Sequence, residues 1–451
     1  MDISSLLLLV LISCSALFIF LLREELGITF VLLLGIYSVP LQKLILSDTY
    51  YLFDSLLNFL LYTFMVIVIL YKTRIDKTSE VVKTPLKLPI LLFLVSILIT
   101  GVFSLILFSQ TLGLVFMGLM DMIHYLMFFP VIYCIKTEKQ LHSIILFIFI
   151  VAIINAIFTI ISSFYPDSPF AFANVVEKWG FGGYYFRTFP YGLHLIVLIF
   201  LISISILPFL QSGFIKILLL GIILTLFFSV ILTFTRSIWL PLIISLVGLV
   251  VLIPRKNMGK LIIWISICCV IVVIASMFLN YISPSFYYGD LIHTVSKGFI
   301  SSFKAFDFIG GLSLDPSFNA RILEAQQGIE MIKDNLLVGV GYKYRLATEE
   351  ARVSYLHNGY LSILMVQGLI GFIPFMWLII AFFVRILKIY RSFTVSAYKG
   401  MVLGFIAGYW FILMYAFLGN GLQHGKEMIL VLMLIMGLTE VIHRLKNTNE
   451  K

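Results

Sequence analysis

Apolar runs of about 20 residues, each long enough to cross ~30 Å of hydrocarbon as a helix, recur along almost the whole chain between short polar breaks. They fall near 3–22, 27–46, 52–71, 88–108, 112–135, 140–164, 188–208, 213–233, 236–253 and 260–279, and again near 358–385, 398–418 and 426–443. Lipid offers no partner for open backbone groups, so each run is expected to be a helix. The pattern predicts an all-α, polytopic membrane helix bundle of about 12–13 transmembrane helices. One stretch interrupts it. Residues 280–357 read like ordinary soluble protein and divide the chain into an N-terminal transmembrane bundle (1–279), this long loop, and C-terminal transmembrane helices with a short tail (358–451). No small-residue cleavage site follows the first run, so that run is expected to be a retained helix.

Within the long loop a second, helical pattern emerges. Asp315-Pro316-Ser317 supplies capping chemistry, and Ser317 to Asn335 reads as a helix whose Ile322, Leu323, Ile329, Met331 and Ile332 form an apolar stripe. Asn335 and then Gly339 end it. No repeat of 20–50 residues and no low-complexity linker is present.

The loops orient the bundle. Arg23, the run Lys72 to Lys87, Lys136 and Lys139, Lys216, Arg255, Lys256 and Lys260, Arg385 to Lys399 and the tail together hold most of the 31 Lys and Arg residues. That side is expected to be cytoplasmic. The 165–187 loop, the Thr233–Ser237 hairpin, the 280–357 loop and the Gly419–Gly425 turn are then external. Composition agrees: 61% of the residues are hydrophobic and 12% are charged, against roughly 25% charged in soluble domains. The net charge of +9 sits in the short loops, where orientation needs it, so no nucleic-acid partner is expected. Cys14, Cys134, Cys268 and Cys269 all lie in apolar runs, which points to neither a disulfide framework nor a metal cluster.

Three arginines stand at outward edges of the bundle. Arg187 lies in Tyr185-Phe186-Arg187-Thr188-Phe189-Pro190, Arg236 in Leu232-Thr233-Phe234-Thr235-Arg236-Ser237-Ile238-Trp239, and Arg321 opens the loop helix. A guanidinium presents a fixed fork of donors that suits phosphate oxygens, and several around one cavity would hold a diphosphate. A single edge arginine more often reaches to lipid headgroups. His357, at the mouth of the next apolar run, carries an imidazole able to take a proton from a sugar hydroxyl, with Asn358 beside it to orient ring or sugar. A helix-capping polar pair fits the same spacing. Asp121 and His124 share a helix face inside the membrane, as a proton relay or a structural pair would. No Asp-x-Asp, P-loop or His-Glu-x-x-His is present.

Three of these segments, in this order, resemble the O-antigen ligase and polymerase family of bacterial membrane glycosyltransferases. Thr233-Phe234-Thr235-Arg236-Ser237-Ile238-Trp239 resembles its Thr-x-Ser-Arg hairpin, with Thr235 where Ser is usual. Arg321 through Gly341 resembles its helix that starts with Arg and closes in a Gly-x-Gly turn, here without the Trp that often follows. His357-Asn358-Gly359-Tyr360-Leu361, then Gln367-Gly368-Leu369-Ile370-Gly371, resembles its His-Asn-x-Tyr-Leu motif, with Gln367 where an acidic residue is common.

The resemblance implies a multi-pass enzyme of the bacterial plasma membrane, active on the external face. It would transfer a glycan from a polyprenyl-diphosphate carrier to an acceptor sugar hydroxyl, without metal or cofactor. Arg236 and Arg321 would hold the departing diphosphate together with Arg187, and His357 would activate or position the attacking hydroxyl. Asn358, Tyr342 and Tyr360 would contact substrate. The donor oligosaccharide, the glycan acceptor, the bilayer and polysaccharide assembly proteins are the implied partners. A repeat-unit polymerase is favoured over a ligase to a lipid anchor, because the compact loop lacks an obvious lipid-core docking domain. The rival from another class is a transporter or flippase of lipid-linked sugars, built around Asp121 and His124 at mid-membrane.

Overall fold

The computed structural model describes residues 50–75, 84–164, 173–180, 183–233, 235–282, 316–342, 352–353, 356–394, 396–419, 421–423 and 425–449, with short pieces at 25–33 and 346–347 and single residues 12, 19 and 23. The first two expected spans lie largely outside these residues, as does most of 280–315. The described helices are α1 (Tyr50–Ile75), α2 (Lys87–Ile106), α3 (Leu112–Met122), α4 (Phe128–Cys134), α5 (Glu138–Phe164), α6 (Leu193–Ile206), α7 (Gly213–Ile231), α8 (Arg236–Leu252), α9 (Arg255–Ile282), α10 (Pro316–Asp334), α11 (Gly359–Ser392), α12 (Ala397–Leu418) and α13 (Lys426–Asn449). Among the described residues seven helical segments are long and apolar enough to cross a membrane. The protein is an all-α polytopic membrane bundle.

Three local departures from the expected spans have physical causes. The fifth is broken: a 3-10 turn, Ile123–Met127, separates α3 from α4, four residues before Pro130 takes effect. Pro130 has no N–H for the Leu126 carbonyl and its ring crowds that group. The seventh starts late, at Leu193, because Ala173–Gly180 and Gly183–Pro190 (β1 and β2) pair as an antiparallel hairpin. Their aromatic and β-branched content favours strand over helix. Finally, α11 is interrupted at Gly368, whose φ of 60° and ψ of −162° are not helical.

The chain forms two interleaved compact units. The first comprises residues 1–147, 321–389 and 413–451, and α13 is its axis: Met428 through Met436 are all buried. At Gly437 a Cβ would lie 2.5 Å from Val131 Cγ1, so this glycine sets how closely α13 meets α4. Arg385 Nε and Nη2 donate to Glu440 at 2.7 and 3.0 Å. Arg444 donates to the carbonyls of Ile132 and Ile135, which α4 leaves open at its end.

The second unit comprises residues 148–320 and 390–412. Here α6 is the axis, buried on nearly every side. Gly400 and Gly404 of α12 come so close that a Cβ would meet Ile206 Cα at 2.9 Å and Ile202 Cα at 2.5 Å, the small-residue packing typical of membrane helices. The hairpin is tied to the end of α5 by the Ser163 hydroxyl, which donates to Thr188 Oγ1 at 2.7 Å.

Candidate active site

The loop helix α10 presents Glu324, Gly328 and Ile332, spaced four apart, on its buried face. The other residues expected to form an apolar stripe do not join them: Ile322, Leu323 and Ile329 are exposed. At Gly328 a Cβ would meet Leu356 Cδ1 at 2.6 Å. That missing side chain lets residues 356 and 357 lie flat against α10.

The close approach brings two functional groups together. Glu324 Oε2 accepts a hydrogen bond from His357 Nδ1 at 2.6 Å. The carboxylate is buried while the imidazole is about one-third exposed, with side-chain exposures of 8% and 38%. With Nδ1 carrying the hydrogen, Nε2 becomes the basic nitrogen of the neutral ring. Arg321 lies three residues before Glu324 on the same stretch of helix surface and is half-buried.

The backbone around His357 is held from two directions. Asn358 is the N-cap of α11: its Oδ1 accepts from the N–H groups of Tyr360 and Leu361 at 3.0 and 3.1 Å. Further on, the break in α11 interlocks with the turn that follows α10. Val340 and Gly341 donate to the Met365 and Val366 carbonyls at 2.8 and 3.1 Å, and Leu369 and Ile370 donate to Leu336 and Leu337 at 2.9 and 3.2 Å. The four groups that the kink frees are all satisfied by the loop. Both sides need glycine. A Cβ on Gly339 would sit 2.4 Å from the Val366 oxygen and one on Gly368 2.3 Å from the Leu337 oxygen, and both residues have positive φ.

Tyr342 plugs this turn into the bundle. It is buried, its hydroxyl donates to the Ile97 carbonyl at 2.9 Å, and its N–H donates to Ser104 Oγ at 3.0 Å. Burial pushes its phenol well above the ordinary range. Tyr360 donates to the Leu413 carbonyl at 3.1 Å and packs on Phe417 at 4.5 Å. Inside the membrane His124 is buried and its Nδ1 pairs with the Tyr62 hydroxyl at 2.9 Å.

Of the residues singled out in the sequence, the structure gathers Arg321, His357, Asn358, Tyr342 and Tyr360 in the first unit. Arg187 and Arg236 belong to the second. Arg187 is on β2 opposite Val176, and Arg236 opens α8; their side chains lie outside the described residues. The residue that sequence reasoning passed over is Glu324. Its signal was there to find: a carboxylate one turn after Arg321, four residues before a glycine on the same helix face.

Fold and site together define a polytopic membrane protein with a carboxylate-held histidine at the mouth of a candidate membrane-crossing helix. Residues 220–376 match the family model described as O-Antigen ligase. Over this segment the chain is similar to the O-antigen ligase/polymerase family, and the match supports membrane glycosyltransferase activity of that broad type. The matched span takes in Arg236, Arg321, Glu324, His357 and both halves of the interlock, and leaves Arg187 outside. No curated protein matches the chain.

Proposed function

We propose that the protein transfers a glycan from a polyprenyl diphosphate to a sugar hydroxyl on the external face of the bacterial plasma membrane, as a polysaccharide repeat-unit polymerase. The observation that carries this reading is the 2.6 Å hydrogen bond between Glu324 and His357, at the mouth of a candidate membrane-crossing helix. His357 Nε2 takes the proton of the acceptor hydroxyl as its oxygen bonds to the anomeric carbon of the donor. The bond from that carbon to the diphosphate oxygen breaks, and polyprenyl diphosphate leaves with the electron pair. Glu324 keeps Nδ1 protonated and steadies the imidazolium that forms, the role a carboxylate has beside a catalytic histidine elsewhere.

Arg321 neutralises the charge that develops on the leaving diphosphate, an electrostatic contribution that is usually the largest in such a step. Arg187 and Arg236 keep the diphosphate-binding role proposed from their motifs. General-base help from His357 accounts for about 10²–10⁴-fold of the rate. The same machinery serves a ligase, which differs only in its acceptor.

The test is the glycan length profile of cells making Arg321→Ala at the wild-type membrane level. Collapse of long chains to single repeat units supports polymerisation. Long chains that persist on the carrier but never reach an anchor mean ligation. An unchanged profile, with loss of export on full deletion, overturns the enzyme reading in favour of transport.

A further inference from the structure

The face of α10 that packs on the protein has two borders. Glu324, Gly328 and Ile332 form its buried middle, and Arg321 and Gln327 flank it, one on each side, both half-buried. Each lies three residues from Glu324, so both are neighbours of that carboxylate on the helix surface. At about 1.5 Å of rise per residue, Arg321 and Gln327 stand roughly 9 Å apart along the axis, with Glu324 midway between them.

Gln327 differs from the polar groups around it in one respect. Its Oε1 is enclosed and has no hydrogen-bond partner among the described residues. Glu324 Oε2 is matched by His357 Nδ1, and farther along Asn335 Nδ2 donates to the Met331 carbonyl at 3.3 Å. A folded protein seldom leaves such an oxygen unmatched, because enclosing it forfeits the hydrogen bonds it made to water. An amide oxygen only accepts, so what completes it must donate. A diphosphate oxygen offers no proton and leaves Oε1 unmatched. A sugar hydroxyl both donates and accepts, and therefore matches the amide whichever way round the group stands. The residue as a whole is partly exposed, so rotation about its terminal bonds brings the oxygen outward, and no existing bond at Oε1 is lost when it turns.

Position decides which sugar. In the reaction proposed above, the attacking hydroxyl and the departing diphosphate stand on opposite sides of the anomeric carbon. Arg321 takes the diphosphate, and His357, held at Glu324, takes the proton of the attacking hydroxyl. Gln327 lies beyond Glu324 from Arg321, on the acceptor's side. We propose that Gln327 is the acceptor-sugar contact of this site, its Oε1 accepting a hydrogen bond from a ring hydroxyl beside the one that attacks. No bond forms or breaks at Gln327; it holds the ring so that the attacking hydroxyl faces His357. The role rests on the glycosyl-transfer reading and adds to it the residue that orients the acceptor.

The test compares the full-length wild-type protein with Gln327→Met, both in lipid nanodiscs. Methionine keeps the length of the side chain and removes the amide. Two probes are titrated: the repeat-unit oligosaccharide released by hydrolysis from the host's own surface polysaccharide, and farnesyl diphosphate, a sugar-free stand-in for the carrier. The oligosaccharide is expected to bind the variant about threefold to tenfold more weakly, the loss of one neutral hydrogen bond. Farnesyl diphosphate should bind both proteins alike. The thermal midpoint should hold or rise, since an unmatched buried oxygen has been removed. Equal affinity for the oligosaccharide would overturn the role of Gln327 and leave the transfer reading standing. Weaker binding of both probes with a lower midpoint would overturn it as well, because the amide would then be holding the fold. Wild-type protein that binds no oligosaccharide would overturn the transfer reading itself, and the role of Gln327 with it.

Discussion

Near each end of α11 a side chain pairs with a buried carboxylate from another helix, and the two pairs differ in what the nitrogen partner can do. At one end Arg385 grips Glu440 through two hydrogen bonds of 2.7 and 3.0 Å. At the other, His357 meets Glu324 through one of 2.6 Å. Guanidinium groups hold their protons throughout the working range, whereas imidazoles exchange theirs. Arg385 is also the more enclosed of the two, with a side-chain exposure of 22% against 38% for His357. The first pair can only lock α11 to α13. The second ends on an imidazole, a group that can take up and release a proton.

Substitutions can break this comparison at either end. The largest effect is expected from His357→Ala, which should lower transfer by about 10²–10⁴-fold while leaving the protein in the membrane at its normal level. Parallel measurement of turnover and of folded protein in detergent checks it; a matching loss of both would make His357 structural. Arg385→Ala should do the reverse. Stranding Glu440 in a buried site costs about 3–5 kcal/mol, so thermal unfolding should shift sharply downward, while the protein that remains folded keeps its turnover number.

Glu324→Gln sharpens the contrast. It preserves the shape but removes the negative charge opposite Nδ1–H and offers an amide N–H that can favour the other tautomer, and should reduce turnover about tenfold to a hundredfold with the donor KM nearly unchanged. An unchanged turnover would remove Glu324 from the mechanism. Gly368→Ala should act through both stability and rate. Its Cβ would sit 2.3 Å from the Leu337 carbonyl oxygen, and the strained backbone adds about 1–3 kcal/mol, which a denaturation series would detect. Smallest is Asn358→Ala, the loss of a helix cap, at about 0.5–2 kcal/mol. It should lower turnover severalfold, and Asn358→Ser, which can cap, should restore most of it.

The candidate site was partly legible from its residue types. Arg321, His357 and the two glycines of the turn stand out because polar groups and glycines beside a hydrophobic run call for an explanation. Glu324 did not stand out. In a helix that also carries Glu330 and Asp334, one more carboxylate looks like ordinary solvated surface until its burial and its partner are known. Gly368 was visible as part of a motif, yet nothing local announced that it breaks a helix of 34 residues so that a loop can bond into the gap. The hairpin of β1 and β2 hid for a similar reason. Its residues read as the external loop 165–187 and the first turn of the next apolar run, and only pairing with a second strand shows them as β.

The chain by itself determined that the protein is a helical membrane bundle, because the length and apolar character of each run leave the backbone no other way to satisfy its hydrogen bonds in lipid. It also determined which helix leads out of the long loop and which polar residues stand at that helix's mouth. Tertiary structure alone decided that Glu324 faces His357, since the two are 33 residues apart and meet only where Gly328 lets the chain pass close by. It also decided where that pair sits in the fold, because the position of a loop is set by what it bonds to. Here it bonds to the carbonyls and N–H groups of a broken helix, which no pattern along the chain can specify.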